Sequence, residues 1–155
     1  MNPEIKRILI VDDCPKDVEL VISALAEKKL AYAVDIAEDG MEALDYLYKR
    51  NKFTDRKNNN PNVILLDIKM PRMNGIEVLK QIRSDSDFKT IPIIMITSSH
   101  EERDLIESYK LGANSYVVKS HDIVQLTDAI KVFGQYWNVI DQSPLELKNI
   151  KLKIL

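Results

Sequence analysis

Five short apolar runs recur along the chain, and the five stretches that follow them repeat their apolar residues at helical spacing. Residues 8–11 (Ile-Leu-Ile-Val) are too few for a helix and rich in β-branched side chains, which predicts a strand. Asp12, Asp13, Cys14 and Pro15 end it, and Pro15 suits the first turn of a helix whose inner face is Val18, Val21, Ile22 and Leu25. A weaker alternating run, Tyr32–Ala37, is a second strand. Asp39 and Glu42 then read as a capping box, Asp39 accepting from the first turn and Glu42 reaching back, before a helix carrying Ala43, Leu44, Leu47 and Tyr48 inward. Residues 51–61, with asparagines at 58, 59 and 60, read as a solvated loop.

The second half repeats the scheme. Val63–Leu66 is a strand ending at Asp67, and Asn74 caps a helix through Ile76, Leu79 and Ile82. Residues 92–96 form a strand ending at Thr97. Ser99 and Glu102 suggest a second capping box, opening a helix with Leu105, Ile106 and Tyr109 inward and Gly112 at its left-handed end. Ser115–Val118 is a fifth strand ending at Lys119. A last helix is predicted from the stripe Ile123, Leu126, Ile130, Phe133 and Trp137. Strands apolar on both faces, alternating with helices, predict a doubly wound α/β fold around a five-stranded parallel sheet.

Composition narrows the function. The 155 residues are 45% hydrophobic, enough for one sizeable core, and 24 acidic against 22 basic residues leave a net charge of −2. That balance argues against nucleic-acid binding and against a polybasic membrane patch. Cys14 is the sole cysteine, so no internal disulfide and no Cys/His zinc site is available, which favours a reducing compartment. No apolar run reaches the length of a signal peptide or membrane span, and a cytoplasmic location is expected.

In an open α/β sheet, ligands bind at the carboxyl ends of the strands. Those ends deliver Asp12 and Asp13, Asp67, Thr97 with Ser98, and Lys119. Three converging carboxylates repel unless a cation joins them, and Mg2+ suits an oxygen-only set that leaves room for phosphate oxygens. A lysine in the same place makes sense if a further anion arrives, such as a phosphoryl group, and Thr97 could hydrogen-bond it. The chemistry these residues suggest is phosphoryl transfer to a carboxylate.

Asp12-Asp13, the segment from Asp67 through Met70-Pro71 to Asn74-Gly75, Thr97-Ser98 and Tyr116-Val-Val-Lys119 together resemble the receiver domain of two-component response regulators. The resemblance spans about residues 6–137. It implies a flavodoxin-like (βα)5 fold with strand order 2-1-3-4-5, and Asp67 as acceptor of a phosphoryl group from a phosphohistidine on a sensor histidine kinase. Asp13, Asp67 and the Lys69 backbone carbonyl would bind Mg2+, with Asp12 acting through water. Thr97 and Lys119 would contact the phosphoryl oxygens, and Tyr116 matches the aromatic that moves inward when Thr97 is drawn to the phosphate. Such a domain catalyses its own phosphotransfer and dephosphorylation and passes its signal to a downstream protein or a histidine phosphotransfer protein.

One departure stands out: receivers usually follow this lysine with proline, and here Ser120 takes that place. Lys119-Ser120, with Tyr136-Trp137 near the end of the last helix, resembles a subgroup of stand-alone regulators paired with bacterial phytochromes. The receiver would occupy residues 1–137, leaving 138–155 as an extension too short for an output domain. Phe133, Tyr136 and Trp137 leave two readings open, packing beneath that extension or an exposed patch for a partner or a second copy in a homodimer. His100 and His121 read as surface or capping residues, and Cys14 as a small semi-buried residue, because adjacent carboxylates disfavour its thiolate. A flavodoxin-like electron carrier would need a Ser/Thr/Gly-rich phosphate loop where Asp12-Asp13 stand. A phosphatase with an aspartate nucleophile would need a general acid where Lys69 stands. A receiver fold that acts as an adaptor without phosphorylation is the third alternative.

Overall fold

The computed structural model describes residues 6–27, 32–98 and 101–119. Its elements are β1 (Lys6–Val11), α1 (Pro15–Glu27), β2 (Tyr32–Ala37), α2 (Gly40–Tyr48), a 3-10 turn (Asn51–Phe53), β3 (Val63–Leu66), α3 (Gly75–Ser84), β4 (Ile93–Thr97), α4 (Glu102–Lys110) and β5 (Ser115–Val118). All strand pairs are parallel and the sheet order is β2-β1-β3-β4-β5, as the doubly wound reading expects. The last helix predicted from Ile123 to Trp137, Ser120, both histidines and the extension 138–155 lie outside the described residues.

The two-residue period of the strands sorts their side chains onto opposite faces of the sheet. Leu9, Val11, Ile64, Leu66, Ile93 and Met95 pack against α2 and α3, while Ile8, Ile10, Leu65, Ile94 and Ile96 pack with Val18, Val21 and Leu25 of α1. β3 and β4 are buried on both faces, which is why they read as unbroken apolar runs.

Helix ends follow local chemistry, with two corrections. Asp39 accepts from the Glu42 amide at 2.9 Å and Asn74 from the Glu77 amide at 3.0 Å, as the caps require. Glu42 does not reach back to complete its box; its carboxylate pairs with Lys52 on the 3-10 turn instead. α4 begins at Glu102 behind Glu101, later than a Ser99 cap implies, and the Glu101 carboxylate is engaged by Arg103 Nε at 2.6 Å. At the other end of α4 the Gly112 amide bonds Tyr109 O at 3.1 Å and the Ala113 amide bonds Ser108 O at 2.9 Å, a Schellman closure with Gly112 at φ 100°.

Three inward faces also differ from their expected residues. On α2, Tyr46 is the buried aromatic and Tyr48 is half-buried; the Tyr46 hydroxyl is tolerated inside because it donates to Asp35, which Arg7 also holds at 3.0 Å. Burial, together with that carboxylate, pushes the Tyr46 hydroxyl up to about 12. On α4 only Ser108 is buried, and Leu105 and Ile106 are 36% and 45% exposed. On α1, Ile22 is exposed beside Leu20.

The loop after α2 is more ordered than its asparagines suggest. Arg56 lies 4.1 Å from the Tyr46 ring centroid, donates to Tyr46 O at 2.9 Å, and binds the carbonyls of Asn58 and Asn59 at 2.8 and 3.0 Å. One guanidinium therefore satisfies three backbone acceptors while stacking on an aromatic face.

Lys49 ends α2 in the left-handed region (φ 56°, ψ 55°), where a Cβ is costly. Lys49→Gly is expected to stabilise the protein by about 0.5–1 kcal/mol, after subtracting glycine's larger unfolded-state entropy. Thermal melting checks this; a lower melting temperature would show that the strain is relieved elsewhere.

Candidate metal and phosphoryl site

The register of the strands builds the site. Val11 pairs with Leu66, so the next residues, Asp12 and Asp67, emerge side by side at the carboxyl edge. The Asp67 amide continues the ladder to Val11 O at 3.0 Å, and the Asp12 amide to Ala37 O at 3.1 Å. Thr97 pairs with Val118, and the Lys119 amide bonds Thr97 O at 2.7 Å, which brings Lys119 in from the far side.

Asp12 and Asp67 are buried, Asp13 is exposed, and one carboxylate oxygen from each lies within 4.8 Å of the other two. Asp12 Oδ1 also accepts from the Cys14 amide at 2.9 Å, which fixes its orientation. The Lys119 ammonium reaches Asp12 Oδ2 at 2.7 Å, Asp17 Oδ2 at 2.8 Å and Asp67 Oδ2 at 3.2 Å. Burial pushes the Asp67 carboxyl up to about 6; Lys119 opposes the rise and Asp12 adds to it. Burial also works against the charge on Lys119, but its hydrogen bonds to Asp12 and Asp17 and the charge of Asp67 outweigh this and hold it above its ordinary value.

Thr97, Tyr116 and Lys69 lie on β4, on β5 and on the β3–α3 loop. Thr97 is fully buried at the end of β4. Tyr116 is half-buried on β5 and packs against the larger half of the core. Lys69 follows Asp67 on the β3–α3 loop, its side chain exposed beside a groove shared with Met70, Asn74 and Arg103. That loop is held twice: the Gly75 amide donates to Ile68 O at 2.8 Å, and Arg72, at φ 65°, donates through two nitrogens to Asp39, with Nε at 2.9 Å.

Sequence reasoning missed Asp17. An acidic residue in the first turn of a helix reads as a complement to the helix dipole. No local spacing signals its pairing with Lys119, 102 residues away.

Buried carboxylates at the ends of β1 and β3 are thus opposed by a lysine from the end of β5, at the carboxyl edge of a doubly wound sheet. The family model for the response regulator receiver domain matches residues 8–131, and the chain belongs to that family of signalling domains. Response regulator Rcp1 of Synechocystis sp. is 35% identical over 136 residues, covering 88% of this chain and 90% of Rcp1. A Mn2+-bound structure of Rcp1 superposes with TM-score 0.73 at 34% identity, covering 85% of this chain and 94% of the other. The bacteriophytochrome response regulator RtBRR gives 0.77 at 43% identity (97% and 90% covered), and the phosphorylated cyanobacterial phytochrome response regulator RcpA gives 0.76 at 34% (91% and 99% covered). Among the described residues no helix is long and apolar enough to cross a membrane.

Proposed function

We propose that this receiver accepts a phosphoryl group on Asp67 from the phosphohistidine of a sensor histidine kinase, with Mg2+ as cofactor, and signals through protein contacts. The observation that carries this reading is the trio Asp12, Asp13 and Asp67, whose oxygens lie within 4.8 Å of one another with the single ammonium of Lys119 among them. One ammonium against three carboxylates leaves the cluster short of positive charge; the upward shift of Asp67 comes chiefly from burial, with Asp12 adding to it and Lys119 opposing it. The donor set is all oxygen, which suits a hard divalent ion. Asp13, Asp67 and the Lys69 carbonyl would hold Mg2+, with Asp12 behind them through water. When bound, Mg2+ supplies charge neutralisation for the carboxylates and the incoming phosphoryl oxygens.

In the transfer, an Asp67 carboxylate oxygen forms the new O–P bond as the N–P bond of the phosphohistidine breaks, and the bonding pair leaves on the imidazole nitrogen. Lys119 and Thr97 would stabilise the phosphoryl oxygens, Lys119 by charge and Thr97 by its hydroxyl. Tyr116, on the neighbouring strand and in register with Met95, would follow the threonine inward. The same site would catalyse hydrolysis of the acyl phosphate. Leu105 and Ile106, exposed on α4, offer apolar contact to a protein partner. The names of RcpA and RtBRR point to a phytochrome-type kinase as the phosphodonor.

Incubation with acetyl phosphate and Mg2+ should add one phosphoryl mass to the protein, and chelation of the metal should prevent it. Asp67→Asn should remove at least about 99% of the labelling, since the nucleophile is gone. A variant that labels as well as the parent would sink the assignment of Asp67.

A further inference from the structure

We infer that Asp17 is a positioning residue, a latch that holds Lys119 back from the phosphoryl oxygens until the reaction draws it away. The inference rests on the reading of Asp67 as phosphoacceptor. A lysine ammonium has three N–H donors, and here all three are directed to carboxylates, at 2.7 Å to Asp12, 2.8 Å to Asp17 and 3.2 Å to Asp67. The contact to the acceptor is the longest of the three. Asp17 differs from the other two in kind. It stands on the first turn of α1 rather than at a strand end, and it is not part of the cluster whose oxygens converge.

The geometry sets a competition. A phosphoryl group on Asp67 brings oxygens that need a donor from Lys119. A cation among Asp12, Asp13 and Asp67 would weaken the first and third pulls on the ammonium, because those carboxylates would share it. Asp17 would then be the remaining restraint. Its side chain is 33% exposed, so a released carboxylate returns to water at small expense, whereas that of Lys119 is 15% exposed and needs a replacement anion. The pair spans 102 residues and links the end of β5 to the start of α1, so by reciprocity whatever takes Lys119 also frees the first turn of α1.

The test compares parent, Asp17→Asn and Asp17→Glu proteins in acetyl phosphate labelling. In each, Asp67 forms an O–P bond, the acyl phosphate O–P bond breaks, and acetate leaves. At saturating Mg2+ the Asp17→Asn rate should rise by about three- to tenfold, the range for releasing one partly exposed ion pair before the transition state. Asp17→Glu should return most of the parent rate, and Mg2+ affinity measured by calorimetry should change by less than about twofold. In a Lys119→Ala background the effect of Asp17→Asn should vanish, which a general loosening of α1 would not produce. An unchanged or lower rate, a gain that disappears at saturating Mg2+, or a gain that survives without Lys119 would each overturn the latch. If the parent itself takes no label, the reading of Asp67 fails first, and the two failures are distinct.

Discussion

Asp67→Asn should melt higher than the parent when metal is absent, even as it abolishes phosphoryl uptake. The Asp67 carboxyl sits at about 6 in the folded chain against an ordinary 3.8. Its charged form is therefore less favourable folded than unfolded, because burial and Asp12 outweigh the help from Lys119. The penalty is absent below about pH 4, grows between pH 4 and 6, and is complete at pH 7. A shift of about two units corresponds to roughly 3 kcal/mol, and the asparagine gives part of it back by weakening the hold on Lys119, leaving about 1–3 kcal/mol of net stabilisation. For a domain of this size that is several degrees. Millimolar Mg2+ should reverse the order by stabilising the parent and not the variant, since only the parent keeps the full acidic set. Calorimetric scans in chelator and in Mg2+, at pH 4 and pH 7, check all of this. A variant that melts below the parent at pH 7 without metal would show that Asp67 is held chiefly by its bond to Lys119.

Gly75→Ala should be the most damaging single methyl in the protein. A Cβ at position 75 would lie 2.0 Å from Asp67 O, 2.8 Å from its carbonyl carbon and 2.9 Å from Ile68 Cα. All three are backbone atoms, so no side chain can swing aside. Elsewhere in a helix alanine would gain about 1 kcal/mol over glycine, but here the overlap forces α3 away from the β3–α3 loop or bends the backbone of Asp67. The Gly75 amide bond to Ile68 O at 2.8 Å is the contact most directly strained. A loss of about 3 kcal/mol or more is expected, beyond the gain from helix propensity. Urea denaturation measures it. Labelling by acetyl phosphate should fall at least about tenfold under conditions where the variant is still folded, because a 1 Å displacement of a nucleophile costs that much or more. Parent-like stability together with parent-like labelling would mean that the loop yields freely.

The strands were legible because β1, β3 and β4 are short runs apolar on both faces, the pattern of strands in a covered parallel sheet. Their carboxyl ends then placed Asp12, Asp67, Thr97 and Lys119 without further information. Helix faces were harder to read wherever polar chemistry decided burial. Tyr46 lies inside because Asp35, eleven residues earlier on another element, takes its hydroxyl. Glu42 was expected to close its own cap, but Lys52 competes from a turn whose position depends on Arg56 stacking over Tyr46. Leu105 and Ile106 follow helical spacing faithfully, yet both are exposed on α4. Asp17 shows the same limit from the site's side: its role depends on Lys119, 102 residues away, and no local pattern carries that pairing.

That long span bears on how the molecule is made. Lys119 follows β5, so a chain emerging in sequence order displays Asp12, Asp13 and Asp67 well before their counter-charge exists. Until β5 docks beside β4, the acidic corner holds like charges with no ammonium between them, and the sheet edge that would align them is unfinished. The receptive site is therefore the last part of the described fold to close. Non-local pairing of this kind is slow because its loop entropy is met before any contact repays it. The same strand that finishes the described sheet also delivers the lysine.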